Sequence, residues 1–301
     1  MQDWRPSDAR SELHKALVSA QAADGGWPYY AGRASRIEPT CWALLALSAM
    51  PAPVTPVIAR ARSFLRGLQQ NNGLLLEAGL PGPNNAWNGL ALLADISIDG
   101  GDGGPGRQAL VSGLLSVKGI AVEQEATPVR QNNRLQAWSW TDGTFSWIEP
   151  TAVCVLALKK AGVSSASVRT RLAEAEAMIL DRVCDGGGWN YGNAQVLGQD
   201  LRAYVPTTAL AVMAMQDRRE HPAIRASIAW LKSHAESEPA TMALSLATLG
   251  LQIAGESADA PRALLTRKAR DTYAFGNRHL IALALYALTS TEHRARALTV
   301  S

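Results

Sequence analysis

The sequence has few of the features of a secreted or membrane-spanning protein. Its 301 residues include only three cysteines, Cys41, Cys154 and Cys184, which are too few, and odd in number, for a disulfide framework. No uncharged apolar run reaches the roughly 18 residues that a transmembrane helix needs. The first residues show no apolar signal region, so we expect a cytoplasmic protein without a membrane span.

An excess of charge of one sign is also missing. The formal net charge is only +3, and charged residues make up 18% of the chain. The basic residues are scattered, as in the pair Arg218-Arg219, and no basic stripe alternates with aromatic residues. Nucleic acid is therefore not an expected partner. Hydrophobic residues make up 47% of the chain, which predicts a large core.

What the sequence does contain is a short unit that recurs four times. Glu38-Pro39-Thr40 and Glu149-Pro150-Thr151 each precede a run rich in Ala, Leu and Val. The segments 205–208 and 238–241 have a similar arrangement and again precede an apolar run. A self-similar unit that recurs within one chain is typical of a repeat architecture.

Around these units the sequence predicts six pairs of helices. The second helix of each pair is apolar nearly all round, as in Leu280–Leu288, and such a helix is buried on every side. The first helix carries the charged residues, so we expect it on the outside. Proline in the first turn of an inner helix suits its fixed φ, and we expect this of Pro39, Pro150, Pro206 and Pro239. The predicted pairs are Ser11–Ala20 with Pro39–Met50, Val57–Leu68 with Asn84–Asp95, Arg107–Val117 with Pro150–Ala161, Ser167–Arg182 with Pro206–Gln216, Pro222–Ala235 with Pro239–Gly250, and Pro261–Asp271 with Asn277–Thr289.

This pattern predicts an all-α fold, an (α/α)6 toroid with six inner and six outer helices. A closed ring of this kind can be one domain of this length, so the whole chain, 1–301, is expected to form a single domain. The longest irregular segment is an insertion at about 118–139, and its length suggests a lid or a partner surface.

The loops between paired helices carry a family motif. Residues 21–27, Gln-Ala-Ala-Asp-Gly-Gly-Trp, fit the pattern Q-x-x-x-G-x-W. Segment 69–75 keeps the Gln and the Gly, 139–145 keeps Gly143 and ends in Phe145, and 185–189 keeps the Gly-Trp end. From about residue 11 to 290 the chain resembles the terpenoid cyclase and protein prenyltransferase β-subunit superfamily. The resemblance implies a toroid whose loop Gln and Trp brace the ring, around an apolar cavity that often holds an isoprenoid.

The same resemblance points to two acids. In class II terpene cyclases the acid is the middle Asp of a D-x-D-D-T motif at the start of an inner helix. Glu38 and Glu149 fall on that position, although Arg36 or Trp147 replaces the first Asp and proline replaces the last. We expect Glu149 to be the better acid, because apolar neighbours would raise its pKa, whereas Arg36 would favour the charged form of Glu38.

Other residues are expected around the same mouth as substrate-binding groups. Aromatic faces stabilise cations, and carboxylates and arginines from several loops converge there. The structural alternative is that the carboxylates interact with helix N-termini and that the tryptophans pack in the core. The candidate substrate-binding residues are Trp42, Trp87, Trp147, Asn84, Glu238, Arg36, Arg202 and His279.

No metal site is expected. The Asp-x-Cys of the prenyltransferases is missing, and Cys41 with His279 supplies too few ligands for zinc. We therefore expect no cofactor, with Mg²⁺ required only if the substrate is a diphosphate.

Four functions remain open, with an isoprenoid ligand expected in the first two. The leading one is a terpene cyclase that starts its reaction by protonating an isoprenoid, and contact with a membrane surface is compatible with it. The alternatives are a non-catalytic isoprenoid- or lipid-binding toroid, a protein prenyltransferase-like toroid, and a glycan-active toroid with paired carboxylates.

Overall fold

The structure, a computed structural model, describes residues 5–51, 54–98, 103–123, 129–290 and 297–300, apart from the side chain of Pro6. Twelve α-helices lie in these residues, and the regular strands described there form one two-residue antiparallel pair. The helices are α1 Ala9–Ser19, α2 Ile37–Ser48, α3 Thr55–Gly67, α4 Asn85–Ile98, α5 Pro105–Ser116, α6 Ile148–Ala161, α7 Ala166–Asp181, α8 Val205–Ala214, α9 Pro222–His234, α10 Thr241–Ile253, α11 Asp259–Phe275 and α12 Arg278–Thr289, and the strands are β1 Gln195–Val196 and β2 Gln199–Asp200.

The even-numbered helices form a closed inner ring. Each packs against the next, and α12 returns to pack against α2. Their side chains are buried on all sides, as in α2, where every residue from Cys41 to Leu47 is buried. The odd-numbered helices lie outside and bury one face only; in α3 that face is Val57, Ile58, Ala61 and Leu65. The predicted all-α (α/α)6 toroid is confirmed. Among the described helices, none is both long and apolar enough to cross a membrane.

The predicted role of proline at the inner-helix starts holds at three of four places. Pro39 and Pro150 are the third residues of their helices, and Pro206 is the second. The expectation for Pro239 is wrong, because α10 begins only at Thr241.

The Gln and Trp of the loop motif tie neighbouring outer helices together. Gln21 donates from Nε2 to the carbonyl oxygens of Gly25 and Val57, both at 2.8 Å, and so joins its loop to the first turn of α3. Gln69 makes the equivalent bond to Gly106 in α5 at 2.8 Å. Trp27 donates from Nε1 to the oxygen of Leu17 at 2.7 Å, at the end of the preceding outer helix.

In the third repeat the structure corrects the assignment of the aromatic residue. Trp138 is completely buried, and its Nε1 donates to Leu114 O in α5 at 2.9 Å, as Trp27 does in the first repeat. Phe145, which the motif had assigned to this place, is 48% exposed. The additional residues of this repeat therefore lie before the motif aromatic residue. The predicted insertion 118–139 thus includes a core residue, Trp138. Positions 124–128 of that insertion lie outside the described residues.

The first amide of an inner helix is bound by the loop of the following repeat. The amides of Asn85 and Ile148 donate to backbone oxygens in the third and fourth loops, at 2.9 and 3.1 Å. The Arg278 amide of α12 donates to Tyr29 O at 2.9 Å, which joins the last inner helix to the first loop. These bonds satisfy amides that have no partner within their own helix, and they close the ring.

We expect Gly73→Ala to destabilise the fold more than Gly79→Ala. Both glycines have positive φ, 85° and 81°, so each alanine carries a backbone strain of about 1 kcal/mol. A Cβ at Gly79 meets nothing, whereas at Gly73 it would overlap the Ala109 carbonyl of α5. Urea unfolding should show a loss of about 1 kcal/mol for Gly79→Ala and at least twice that for Gly73→Ala. Equal losses would contradict the close approach of this loop to α5.

Candidate active site at the mouth of the inner ring

The second residue of each inner helix occupies an equivalent place, which we call the rim. The equivalence follows from the first backbone hydrogen bond of each helix. In each case the amide of the fourth helical residue donates to the carbonyl oxygen of the residue before the helix. Examples are Thr40 N to Arg36 O and Thr151 N to Trp147 O. The rim residues are Glu38, Ala86, Glu149, Pro206, Met242 and His279. Ionisable side chains occupy three of these six places.

One helical turn further in, the residues on the same faces form an apolar floor. Positions four apart lie above one another on a helix, so each rim residue has a floor residue beneath it. The floor residues are Trp42, Leu90, Val153, Leu210, Leu246 and Leu283. Val153 and Leu210 are partly buried, and the other four are 6% exposed or less. At these twelve positions, the ionisable groups lie on the rim and the floor side chains are apolar.

Glu149 is the rim carboxyl whose pKa is raised by burial. It is partly buried, and its Oε1 accepts a hydrogen bond from the Thr207 hydroxyl of α8 at 3.0 Å. Burial raises the pKa of Glu149 and the Glu38 carboxylate raises it further, while the bond from Thr207 opposes the shift. The raised pKa expected for Glu149 is therefore confirmed.

Glu38 has different neighbours on the other side of α4. Its Oε2 accepts a short hydrogen bond from the Tyr29 hydroxyl and lies 3.7 Å from Nδ1 of His279. Burial, followed by the Glu38 carboxylate, raises the pKa of Tyr29, so this phenol stays a hydrogen-bond donor. His279 in turn stacks on Trp42, with ring centroids 6.4 Å apart.

Arg36 does not act on Glu38 as expected. It pairs with Glu77 at 3.2 Å, and Glu77 also accepts the first amide of α2, from Ile37, at 2.5 Å. The ion pair of Arg36 is therefore with Glu77 and not with Glu38. The contacts to Glu38 come from Tyr29 and His279.

Two further candidates serve helix N-termini rather than the rim. Glu238 accepts the first amide of α8, from Val205, at 3.1 Å, so it has the same role as Glu77. Asn84 precedes α4 and accepts the Trp87 amide at 3.1 Å. The expected equivalence of Asn84 with Glu38 and Glu149 does not hold, because Ala86 occupies that place.

The remaining candidates lie at different depths around the mouth. Trp42 is in the floor, and Trp87 is partly buried at the start of α4. Trp147 lines a neighbouring cavity of about 240 Å³ together with Arg182. Arg202 is exposed, with its guanidinium carbon 5.6 Å from the centre of the Tyr204 ring.

Sequence reasoning missed Tyr29 and Thr207. Tyr29 lies two positions after the motif Trp27, where other repeats have Trp140 and Tyr191, so a recurring aromatic was an available signal. Thr207 carried no comparable signal, since its neighbour Thr208 has the repeat role of binding the motif tryptophan, at 2.9 Å. Within the described part of the chain, no three His, Cys, Asp or Glu side chains meet closely enough to hold a metal ion.

The fold is similar to that of several solved structures. Type II terpene cyclase MstE from Scytonema superposes with a TM-score of 0.65 at 14% identity, over 96% of this chain and 98% of that one. A glycosidase variant in complex with glucose gives 0.64 at 11% identity, over 98% and 97%. A protein from Actinoplanes gives 0.62 at 15% identity, over 94% and 98%. Neither a protein-family model nor a curated protein matches the sequence. These similarities establish a terpene cyclase-like fold.

Proposed function

We propose that the protein is a terpene cyclase-like enzyme in which Glu149 protonates a carbon–carbon double bond of an isoprenoid. The observation that carries this proposal is a carboxyl with a raised pKa above a floor made only of apolar side chains. A general acid must hold its proton at the working pH and reach the substrate. An apolar floor suits a hydrocarbon chain, because burying apolar surface is favourable and leaves no polar group unpaired.

The groups around the mouth also suit the cation that protonation creates. The partly exposed Trp87 and the floor residue Trp42 present aromatic rings near the rim. Ring faces attract positive charge without capturing it covalently. The toroidal neighbour MstE has been observed with geranylgeranyl dihydroxybenzoate as its substrate, which supports a linear isoprenoid, free or attached to a polar group, as the substrate class here.

A glycan-active function is the second candidate. It is favoured by two carboxyls, Glu38 and Glu149, that act on each other across the mouth, and by the glycosidase neighbours. Glycosidases use such a pair as acid and base or nucleophile. Against it stands the floor, which offers a sugar ring no polar side chain to replace the water bound to its hydroxyls.

One experiment separates the two candidates. Purified protein is incubated with linear isoprenoids of ten to thirty carbons, as alcohols, diphosphates and phenol conjugates, and in parallel with a panel of glycosides. Mass spectrometry should detect cyclic isomers of an isoprenoid and no released sugar. Release of sugar with no isoprenoid product would favour the glycan-active function, and binding of isoprenoid without turnover would favour a non-catalytic toroid.

The cyclisation rate should fall as pH rises through the pKa of Glu149. This pKa is raised in the folded protein, so the proton is kept to a higher pH than by an ordinary glutamate, and activity is lost when it leaves. Because the group ionises less readily folded than unfolded, the same rise in pH also lowers the stability of the fold. A kcat/KM profile and parallel melting curves test both effects. A rate that increases with pH through this range would contradict the role of Glu149 as the acid.

A further inference from the structure

The rim contains a second carboxyl, Glu38, whose partners differ from those of Glu149. Both contacts to Glu38, from Tyr29 and from His279, reach Oε2. Among the described residues, no hydrogen-bond donor reaches its Oε1. A carboxylate oxygen that accepts no hydrogen bond keeps its lone pairs available, so Oε1 can accept a proton.

We propose that Glu38, held by Tyr29 and His279, is the base that removes a proton at the end of the reaction that Glu149 starts. This assignment rests on the proposed function. Glu38 is on α2 and Glu149 on α6, with α4 between them and only the methyl group of Ala86 on the rim at that place. The two carboxyls are close enough for the Glu38 carboxylate to contribute to the raised pKa of Glu149.

The proton balance closes within the site. The Glu149 carboxyl gives its proton to an alkene carbon, so a C–H bond forms as the π bond breaks and leaves a carbocation. The cation is carried through the ring-forming steps to its last carbon. A C–H bond beside that carbon then breaks, its electron pair forms the product double bond, and the proton passes to Glu38 Oε1. Exchange with solvent, or transfer through the adjacent imidazole of His279, returns both carboxyls to their starting states.

Two nearby carboxyls with different partners can divide the roles of acid and base between them. The titratable groups around Glu38 come from three elements: Tyr29 on the first loop, His279 on α12, and Glu149 on α6. Behind it lies the pair of Arg36 and Glu77, whose charges offset each other at 3.2 Å.

The first test uses products. With an isoprenoid that the wild type converts, Glu149→Gln should stop substrate consumption. Glu38→Gln should still consume substrate, but at least tenfold less of the wild-type alkene should form relative to water-captured alcohols or misplaced alkenes. Tyr29→Phe should shift the products in the same direction by less. A loss of folding would reduce all products together, so a changed product ratio identifies the base. An unchanged ratio in Glu38→Gln would overturn the assignment while leaving the cyclase function intact.

The second test needs no turnover. A linear isoprenoid amine, protonated in solution, carries the charge of the cation, and the matching alcohol is its neutral control. We expect the wild type and Glu149→Gln to bind the amine about tenfold more tightly than the alcohol, measured by calorimetry, and Glu38→Gln to lose this preference. A preference that survives in Glu38→Gln overturns the role of Glu38. If neither ligand binds and the wild type forms no product, the proposed function itself fails, and the assignment fails with it.

Discussion

Glu149→Gln should reduce the cyclisation rate by about 10²- to 10⁴-fold, the range that general acid catalysis supplies. The amide has the shape of the carboxyl but no acidic proton. Its oxygen can still accept the hydrogen bond that Thr207 donates to Glu149 at 3.0 Å, so the start of α6 and its contact with α8 should persist. We therefore expect a melting temperature close to that of the wild type near neutral pH.

The rate loss is measured with the isoprenoid that the wild type converts best, and it should appear in kcat rather than in KM, because the floor that binds the chain is unchanged. Glu220→Gln is the matched control. Its side chain is 80% exposed and lies just before α9, away from the rim, so this variant should keep wild-type activity. If Glu149→Gln retains the wild-type rate, Glu149 is not the acid.

The sequence predicted the ring because the signals for it are local and repeated. All-round apolar helices, Gly-rich loops and paired proline and threonine recur often enough for six pairs to be recognised, and each observed helix overlaps its predicted range. The motif assignment fails in the third repeat, where a long irregular segment shifts the position of the motif along the chain. The third motif was displaced from Trp138 to Phe145, because a Gly and an aromatic residue happen to follow at a plausible spacing.

The site was less predictable because its contacts join different repeats. Sequence proximity suggested that Arg36 acts on Glu38, yet Arg36, directly before the start of α2, meets Glu77 of the next loop at 3.2 Å. Glu238 resembles Glu38 in its Glu-Pro pair but lies before its helix rather than in it. Side-chain direction at a helix start depends on where the helix begins, and boundaries are the least certain part of sequence-based prediction.

Trp138→Ala should destabilise the fold by about 3–5 kcal/mol, the usual cost of truncating a large buried aromatic side chain. The indole is fully buried, and its Nε1 donates to Leu114 O at 2.9 Å. Its ring also lies 3.9 Å from the guanidinium carbon of Arg171, which donates to the oxygens of Val117 and Ala137 at 2.9 and 2.7 Å. The substitution therefore opens a cavity. It also removes the ring that contacts Arg171, whose hydrogen bonds hold the insertion at Val117 and Ala137.

The matched control is Phe145→Ala, which removes the aromatic residue that the motif alone had favoured. Phe145 is 48% exposed, so we expect this change to stay within about 0.5 kcal/mol of the wild type. Trp138→Phe should fall between the two, because it keeps most of the ring volume and loses the hydrogen bond to Leu114. Guanidinium unfolding monitored by circular dichroism measures all three, with equal m values required for the comparison. Since domains are stable by only about 5–15 kcal/mol, Trp138→Ala should leave little margin. Equal losses at positions 138 and 145 would show that Trp138 does not have the bracing role of Trp27.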